Sequence, residues 1–430
     1  MSRSTRPREE SLEEVPDDCP QPTRPAAGET RLAPRFPTIM THATGRELVR
    51  ILEELFGDRC KPHGRHAGPL ATVIPADADE LVALAQTVNR YSVKLIPTGA
   101  GTDPDLPPPA GQTVLVGTEM MRQVRSLGGD RGRVKVEPGV LWLELEDQLR
   151  SSHLALTVYP TSAPRATVGG WIARDGMGVG SFAYGWLRDN VLSAEMILPD
   201  GRLRTVEGDD LGLAVGAMGR TGVIVRATLE VRETKGERPF AAALERPEAL
   251  QRAITSFLER RPPLWHLGFV NPPMSRAMGA REEYLIFGAY AASDAGAAES
   301  ELARTLGEGR GRTLGPAEAY RIWGSRFFPV SSAHPSPAPG RVLVPASRVG
   351  AVLDRLGGDP AEVALLGSVA RDNSALMLAF AAPGAEGHPL GLSAGSEAGL
   401  VGAARSVGGG RYHEILKRRA APRSPSTHER

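Results

Sequence analysis

Apolar residues recur along parts of the chain with the spacing of an amphipathic helix. Leu48, Ile51, Leu52 and Leu55 follow the i, i+3, i+4, i+7 pattern within the segment GRELVRILEELFGD, which predicts a first helix. The same kind of spacing predicts a helix over 77–91, where acidic residues at the start suit the positive end of the helix dipole. The Ala-rich segment PEALQRAITSFLERR predicts a helix in the second half of the chain.

Short apolar runs alternate with these helices and predict strands. In the first half of the chain the runs are ATVIP, VKLIP, TVLVG, RVKVEPGV and ALTVY. A short helix is predicted between the last two runs, with Trp142, Leu145 and Leu149 on one face. The turn 199–201 (Pro-Asp-Gly) predicts a hairpin, and the alternation in VRATLEVRE predicts a strand with one buried face. The expected fold class is therefore α+β.

Changes in composition along the chain predict five segments. Residues 1–37 are rich in Pro, Arg and Glu, and residues 419–430 are similar, so both are predicted to be disordered tails. Residues 38–70 hold the first helix and a lead-in. Residues 71–234 form the first α+β domain, and residues 235–418 form a second domain with Ala-rich helices and strands such as LIFGAY and RVLVP.

Composition excludes several classes of protein. The 430 residues carry a net charge of +1, so no overall basic field indicates nucleic acid or anionic lipid as a partner. Cys19 and Cys60 are too few for a disulfide framework or a Cys-based metal site. No apolar run reaches the roughly 18 residues that a membrane span requires, and the charged N-terminus lacks the apolar core of a signal peptide. A cytoplasmic protein without a membrane span or a nucleic-acid partner is predicted.

Three glycine-bearing loops each follow a predicted strand, at 97–102, 167–185 and 216–222. Glycine lets backbone N–H groups approach an anion closely, and successive N–H groups form a concavity for phosphate oxygens. Three such loops in one α+β unit favour a ligand that carries phosphate. The first loop continues into the proline-rich DPDLPPPAG, which cannot be helical, so a Rossmann dinucleotide-binding fold is disfavoured.

Four segments in order resemble the FAD-binding domain of the vanillyl-alcohol oxidase/PCMH flavoprotein superfamily, over roughly Ala71–Arg232. They are PTGAGTD, VEPGVLWLELEDQL, TVGGWIARDGMGVGSFAYGWLRDNVLSAEMILPDGRLRTV and GAMGRTGVIVRATLEV. The resemblance implies a PCMH-type domain of two α+β subdomains that hold FAD between them, followed by an α+β substrate-binding cap domain. It implies that residues 98–102 wrap the pyrophosphate, that 169–173 and 178–185 line the phosphates and the ribityl chain, and that 222–224 lies against the flavin ring or the adenine. The implied cofactor-binding residues are Pro97, Thr98, Gly99, Ala100, Gly101, Thr102, Gly139, Pro160, Thr161, Thr167, Val168, Gly169, Gly170, Ile172, Ala173, Gly178, Tyr184, Gly185, Asn190, Gly219, Gly222, Val223 and Ile224.

The loops also depart from the family pattern. Asp103, Asp105 and Asp175 put negative charge near the predicted pyrophosphate, which is unfavourable unless Arg174 or Arg188 offsets it. Ala and Met stand at positions 100 and 218, where the family often has Gly and commonly Glu, respectively. Members with covalent flavin use a His or a Cys in or near these loops. Neither residue type occurs in the loop segments, so non-covalent FAD is predicted.

The second domain is similar to the superfamily's cap domain in two short motifs. Trp323 and Arg326, followed by 342–345, fit a W-x-x-R-F…VP pattern in which the Arg of some branches meets a substrate carboxylate. The alternative is a structural Arg stacked on Trp323, and both readings stay open. Near the end, His413 and Lys417 fall in a segment similar to an element that approaches the flavin, and they are the candidates for proton transfer. The alternative for His413 is the start of a surface helix.

The resemblance implies an FAD-dependent oxidoreductase that moves a hydride from a small hydroxylated substrate, such as a hydroxy acid, alcohol or sugar, to flavin N5. The alternative is a non-catalytic FAD-binding subunit with a degenerate site, which would need an electron-acceptor protein as partner. A nucleotide-sugar reductase ranks last, since no NAD(P)H signature is present. The G-x-S-x-G match at 391–395 does not follow a strand, and His63 and His66 have no further ligand nearby, so neither a hydrolase nor a metal site is predicted.

Overall fold

The computed structural model describes residues 42–64, 68–101, 112–127, 132–234, 236–308, 311–327, 339–356, 363–382 and 391–420. The predicted disordered tails lie outside these residues, except for residues 419 and 420, which end the last helix. The described chain has an N-terminal half (residues 42–234) and a C-terminal half (residues 236–420).

The first sheet of the N-terminal half has the strand order β1-β2-β4-β3, in which β2, β4 and β3 run parallel. Helix α1 (His42–Phe56) precedes it as predicted, although Leu55 is 54% exposed, so the buried face is narrower than expected. Helix α2 (Ala78–Arg90) begins at Asp77, whose side chain accepts a hydrogen bond from the backbone N–H of Glu80. The strands are β1 (Cys60–Pro62), β2 (Pro69–Val73), β3 (Lys94–Thr98) and β4 (Thr113–Gly117).

The second sheet is antiparallel, in the order β5-β6-β10-β8-β9, with β7 paired to β10. The predicted hairpin joins β8 and β9, and Gly201 adopts the positive φ of 84° that this turn requires. The alternation predicted for the last strand is confirmed, because the apolar members of VRATLEVRE are buried. The strands are β5 (Val124–Leu127), β6 (Arg133–Val136), β7 (Leu154–Leu156), β8 (Val191–Ile197), β9 (Leu203–Glu207) and β10 (Val223–Glu233). The helices are α3 (Trp142–Arg150), α4 (Val168–Arg174) and α5 (Ser181–Tyr184).

The third sheet lies in the C-terminal half and is antiparallel, in the order β14-β11-β13-β12-β16-β17-β15-β18. The predicted boundary at residues 234 and 235 falls between β10 and β11, which belong to different sheets. The strands are β11 (Glu237–Leu244), β12 (Leu264–Val270), β13 (Tyr284–Ala291), β14 (Arg312–Thr313), β15 (Gly340–Pro345), β16 (Val363–Val369), β17 (Ser374–Ala381) and β18 (Gly410–Arg411). The helices are α6 (Pro247–Arg260), α7 (Pro272–Ala277), α8 (Ala295–Glu308), α9 (Pro316–Gly324), α10 (Val349–Leu356), α11 (Ala394–Arg405) and α12 (Tyr412–Ala420).

The two faces of the third sheet bury different partners. Leu267 and other side chains of one face pack against α6, α8, α10 and α11. Phe287 and Leu366, on the other face, belong to a cluster that includes Met177 and Trp186 of the N-terminal half. Since successive side chains of a strand point to opposite faces, this second face is the one that meets the loops of the N-terminal half.

The glycine-dense segment 160–190 shows little periodicity in the sequence, yet it contains α4 and α5. Thr167 starts α4, because its hydroxyl accepts a hydrogen bond from the backbone N–H of Gly170. A Cβ built on Gly169 would lie only 2.5 Å from Cβ of Pro138, so glycine at this position allows α4 to pack closely on the preceding chain. The capping and close packing therefore stabilise a helix that apolar spacing does not reveal.

Candidate functional site

The three glycine-bearing loops meet at one place in the structure. The segment Pro97–Gly101 leaves the end of β3 and lies between the other two loops. A Cβ built on Gly99 would lie 2.7 Å from the hydroxyl oxygen of Thr167, and one built on Gly219 would lie 2.4 Å from Cγ of Pro97. The first loop (97–102) therefore directly contacts the second (167–185) and the third (216–222). Only glycine at positions 99 and 219 permits these two close approaches.

The surface formed by these loops is open and rich in backbone donors. Residues 99–101 are all exposed, and no hydrogen bond between described residues uses the backbone N–H groups of the last two. Thr98 fixes the base of the loop by donating its hydroxyl to the carbonyl oxygen of Val116 at 3.0 Å. Gly170, which faces Gly99, is exposed as well. Small residues with unused N–H groups form the kind of cradle that phosphate oxygens require, so this part of the chain fits the diphosphate of FAD.

Three residues at or just after the end of the predicted first loop lie outside the described residues. They are Thr102, for which a cofactor contact was predicted, and Asp103 and Asp105, which carry the acidic departures from the family pattern.

The third loop is anchored to the C-terminal end of α4. The backbone N–H of Gly216 donates to the carbonyl oxygen of Ile172 at 3.1 Å, and that of Met218 donates to the carbonyl oxygen of Ala173 at 2.7 Å. Met218 has a φ of 58°, which is uncommon for a residue with a side chain. Glu is common there in the family, and in this chain the backbone N–H of Met218 ties the position to α4.

Most of the remaining predicted cofactor residues are buried within the loops or in the elements next to them. Asn190, for example, donates its amide to the carbonyl oxygens of Tyr184 at 2.9 Å and Trp186 at 2.7 Å, which closes the turn between them. Thr161, Ala173, Tyr184 and Gly219 are half-buried. The buried residues are Gly139, Pro160, Thr167, Val168, Gly169, Ile172, Gly178, Gly185, Asn190, Gly222, Val223 and Ile224.

The acidic departure at Asp175 is neutralised within the fold. Asp175 is completely buried. Its carboxylate accepts a hydrogen bond from the backbone N–H of Arg188 at 3.2 Å and also forms an ion pair with the guanidinium of Arg188. Burial raises the pKa of Asp175, and the positive charge of Arg188 opposes this rise. Arg188 therefore provides the offset that the sequence required, and the pair adds no net charge to the loop.

The side chain of Arg174, unlike that of Asp175, lies against the C-terminal half. Its guanidinium lies 5.9 Å from the ring centroid of Tyr412, in the C-terminal half, and the residue is 8% exposed. Burial, with a smaller effect from the positive charge of Arg341, lowers the pKa of Arg174 to about 9.

Arg326 lies between the two halves, where it contacts Trp323 and Phe327 of its own segment and Tyr159 of the N-terminal half. Its guanidinium lies 4.2 Å from the ring centroids of Trp323 and Phe327, so the stacked arrangement is present. Nη1 donates to the carbonyl oxygen of Trp323 at 2.7 Å, and Nη2 donates to the hydroxyl of Tyr159 at 3.0 Å. Nε is buried and has no partner in the described structure. One donor of the guanidinium is therefore unpaired among the described residues.

His266 on β12 is a site residue that sequence reasoning missed. It is 2% exposed, and its ring centroid lies 5.7 Å from that of Trp323. The backbone N–H of Gly180 donates to Nδ1 at 3.4 Å, so the neutral ring carries its proton on Nε2. Burial, assisted by the charge of Arg326, lowers the pKa of His266 to about 3. A single His in the apolar strand LWHLGFV gives no sequence signal for such a position.

The C-terminal motif places a different residue against the N-terminal half than expected. His413 is half-buried in the first turn of α12, and the side chain of Lys417 lies outside the described part. It is Tyr412 whose hydroxyl accepts a hydrogen bond from the backbone N–H of Met177 at 3.1 Å. The tyrosine ring also stacks on Trp186, with centroids 6.3 Å apart. The sequence motif lies in a segment that contacts the N-terminal half, but nothing in it singled out the tyrosine.

Part of the chain matches a known family of protein domains. Residues 69–207 match the family model FAD_binding_4, described as an FAD binding domain. This segment is therefore similar in sequence to an FAD binding domain. The predicted resemblance to the vanillyl-alcohol oxidase/PCMH superfamily is confirmed.

Curated relatives of this chain share its sequence over part of their length. The chain is 32% identical over 177 residues to the mitochondrial D-lactate dehydrogenase [cytochrome] of Arabidopsis thaliana, covering 38% of this chain and 30% of that enzyme. It is 25% identical over 217 residues to glycolate oxidase subunit GlcD of Bacillus subtilis, covering 48% and 46%, respectively. The matched segment thus spans less than half the length of either relative.

A solved structure of an alkyldihydroxyacetonephosphate synthase shares the fold over most of the chain. It covers 87% of this chain and 82% of its own, with a TM-score of 0.68 and 16% sequence identity. The predicted α+β fold class is confirmed. Among the described residues, no helix has both the length and the apolar character needed to cross a bilayer. The described part of the chain also holds no group of three or more His, Cys, Asp or Glu placed to bind a metal ion, and His66 lies outside it.

Proposed function

We propose that this chain is an FAD-dependent oxidoreductase that takes a hydride from the CH–OH group of a small hydroxylated substrate to flavin N5. The observation that carries the proposal is the convergence of the three loops on an exposed cradle of backbone donors at residues 99–101. FAD, when bound, supplies the redox-active ring that accepts the hydride. The loops contain neither His nor Cys, which supports a non-covalent cofactor.

A hydroxy acid is the substrate class with the most support, ahead of an alcohol or a sugar. Arg326 is half-buried and its Nε is unpaired in the described structure, and its planar fork suits a carboxylate. His266, held neutral with its proton on Nε2, is a second buried donor in the same region. Two of the relatives named above act, by their names, on lactate or glycolate, which are hydroxy acids.

Proton transfer from the substrate hydroxyl needs a separate base. His266 does not suit this role, since Nδ1 already accepts a hydrogen bond and Nε2 carries the proton. His413 and Lys417 therefore stay the candidates, and α12 begins beside the loop that contains Met177.

The alternative of a degenerate FAD-binding subunit with an electron-acceptor protein as partner loses part of its support. One of its reasons was uncompensated acidic charge in the loops, and Asp175 is paired with Arg188.

The first experiment is the visible absorption spectrum of the purified protein, followed by acid precipitation. We expect a flavin spectrum whose colour moves to the supernatant, and bleaching under anaerobic conditions by 2-hydroxy acids before alcohols or sugars. Colour kept in the pellet would contradict a non-covalent cofactor. A protein that stays colourless with added FAD, or a bound flavin that no hydroxylated compound reduces, would contradict the oxidoreductase proposal.

A further inference from the structure

The loop 176–187 of the FAD-binding domain is held in place by groups from the C-terminal half. At its start, the backbone N–H of Met177 donates to the hydroxyl of Tyr412 at 3.1 Å. At its end, Trp186 stacks on the same tyrosine at 6.3 Å between centroids, with 16° between the rings. Nε1 of Trp186 also donates to the carboxylate of Asp372 at 3.0 Å. One side chain, Tyr412, thus contacts both ends of the loop.

The middle of the loop also rests on the C-terminal half. The backbone N–H of Gly180 donates to Nδ1 of His266 at 3.4 Å, and the backbone N–H of Arg371 donates to the carbonyl oxygen of Ser181 at 2.9 Å. The guanidinium of Arg261 lies 5.8 Å from the ring centroid of Phe182. Within the loop, helix α5 is only four residues long and cannot be stable without such contacts.

Tyr412 fits against the loop backbone with little room to spare. A Cβ built on Gly176 would lie 2.7 Å from the tyrosine hydroxyl, so the phenol rests directly on this turn. Both Met177 and Tyr412 are buried, at 3% and 4% exposure. Loss of the hydroxyl would leave a buried N–H group without an acceptor, and the loop would have to shift to satisfy it.

We propose that Tyr412 is a positioning residue for the cofactor: it holds the loop 176–187 in the conformation that binds FAD, so FAD affinity depends on the C-terminal half. The inference rests on the proposed function, because this loop is the one that the family resemblance places along the phosphates and ribityl chain of FAD. Tyr412 acts through the loop backbone and through Trp186, and the inference requires no contact between the phenol and the cofactor.

Tyr412→Phe tests the inference, and Tyr290→Phe is the matched control. Tyr290 is buried too, at 6% exposure, and its hydroxyl donates to Glu299 at 2.9 Å in the helix-covered layer of the third sheet. FAD release from the full-length holoprotein on dilution is followed by recovery of flavin fluorescence, alongside thermal unfolding. We expect Kd for FAD to rise about tenfold in Tyr412→Phe, which corresponds to about 1.4 kcal/mol, and to stay unchanged in Tyr290→Phe.

Equal FAD affinity in wild type and Tyr412→Phe would overturn the inference, as would an equal weakening in both variants. If Tyr412→Phe does not fold, Trp186→Phe decides the question, since it removes the indole N–H that reaches Asp372 and keeps an aromatic ring. Unchanged FAD affinity in that variant counts against the inference. Failure of the wild-type protein to bind FAD would instead contradict the proposed function, so the two failures are distinguishable.

Discussion

The buried ion pair after α4 provides a sharp test of how the second loop is built. Asp175 is fully buried with a φ of 63°, and the side chain of Arg188 is 32% exposed. Arg188→Met removes the guanidinium and keeps much of the apolar stem. The carboxylate is then buried without its counter-charge, and breaking a buried pair in this way costs about 3–5 kcal/mol. We expect the free energy of unfolding to fall by an amount in this range.

The loss should depend on pH, and its sign follows from the pKa of Asp175. Because burial raises this pKa in the folded state, folding favours the protonated acid. The stability linked to this group is therefore fully present below the ordinary Asp pKa of 3.8 and is lost as pH rises through the raised value. Removal of Arg188 raises the pKa further. The destabilisation of Arg188→Met should thus be larger at about pH 7 than at about pH 4.

Urea unfolding of four proteins at these two pH values is the assay. They are wild type, Arg188→Met, Asp175→Asn and the double variant, which together form a double-mutant cycle. The double variant should recover most of the stability lost in Arg188→Met, since no charge is left buried. Arg202→Met is the control, because its partner is the exposed Asp200, and it should change little. An equal loss at both pH values, or a double variant no more stable than Arg188→Met, would refute the reasoning.

Three further predictions concern the candidate site. Arg326→Ala should raise KM for a 2-hydroxy acid about a hundredfold and leave FAD bound, because the variant loses a hydrogen bond to a charged group, which is worth about 3 kcal/mol. An equal rise in KM for a neutral alcohol would show that Arg326 does not bind the substrate carboxylate. The pKa of His266 is lowered from 6.5 to about 3, so the stability linked to its neutral ring is present above pH 6.5 and is lost as pH falls toward 3. His266→Gln should therefore flatten the acid limb of the plot of stability against pH, and an unchanged limb would contradict the burial of a neutral ring. Gly99→Ala should weaken FAD binding at least about tenfold, because the new Cβ would lie 2.7 Å from the hydroxyl of Thr167, whereas Gly212→Ala, in open space, should bind FAD like wild type; similar FAD affinity in both would contradict the cradle.

Local patterns in the sequence were sufficient for the elements whose stability is local. The hairpin between β8 and β9 depends on a turn that Gly201 can adopt, and the inward face of β10 depends on strict alternation. On α3, the predicted apolar face of Trp142, Leu145 and Leu149 is buried. The order of the glycine-bearing motifs likewise identified the FAD-binding domain, because the motif residues and their spacing are legible in the chain.

The same helix shows where such patterns stop. Glu146 is 2% exposed beside the apolar face of α3, where its carboxylate accepts a hydrogen bond from the backbone N–H of Leu156 at 2.8 Å and pairs with Arg150 at 2.8 Å. No periodicity predicts a buried carboxylate, because the partners that stabilise it lie on strand β7 and on the next turn of the helix. Burial raises the pKa of Glu146, and these partners oppose that effect.

The sequence by itself indicated the α+β elements, the resemblance of the first domain to an FAD-binding domain, and three glycine-bearing loops as candidates for binding a cofactor. Only the tertiary structure decided that Gly99 meets Thr167, that Arg188 neutralises Asp175, and that Tyr412 is the residue of α12 that reaches the loop. These contacts join positions far apart in the chain. They depend on which face of a helix or sheet is turned toward a neighbour, and a local pattern carries no information about that neighbour.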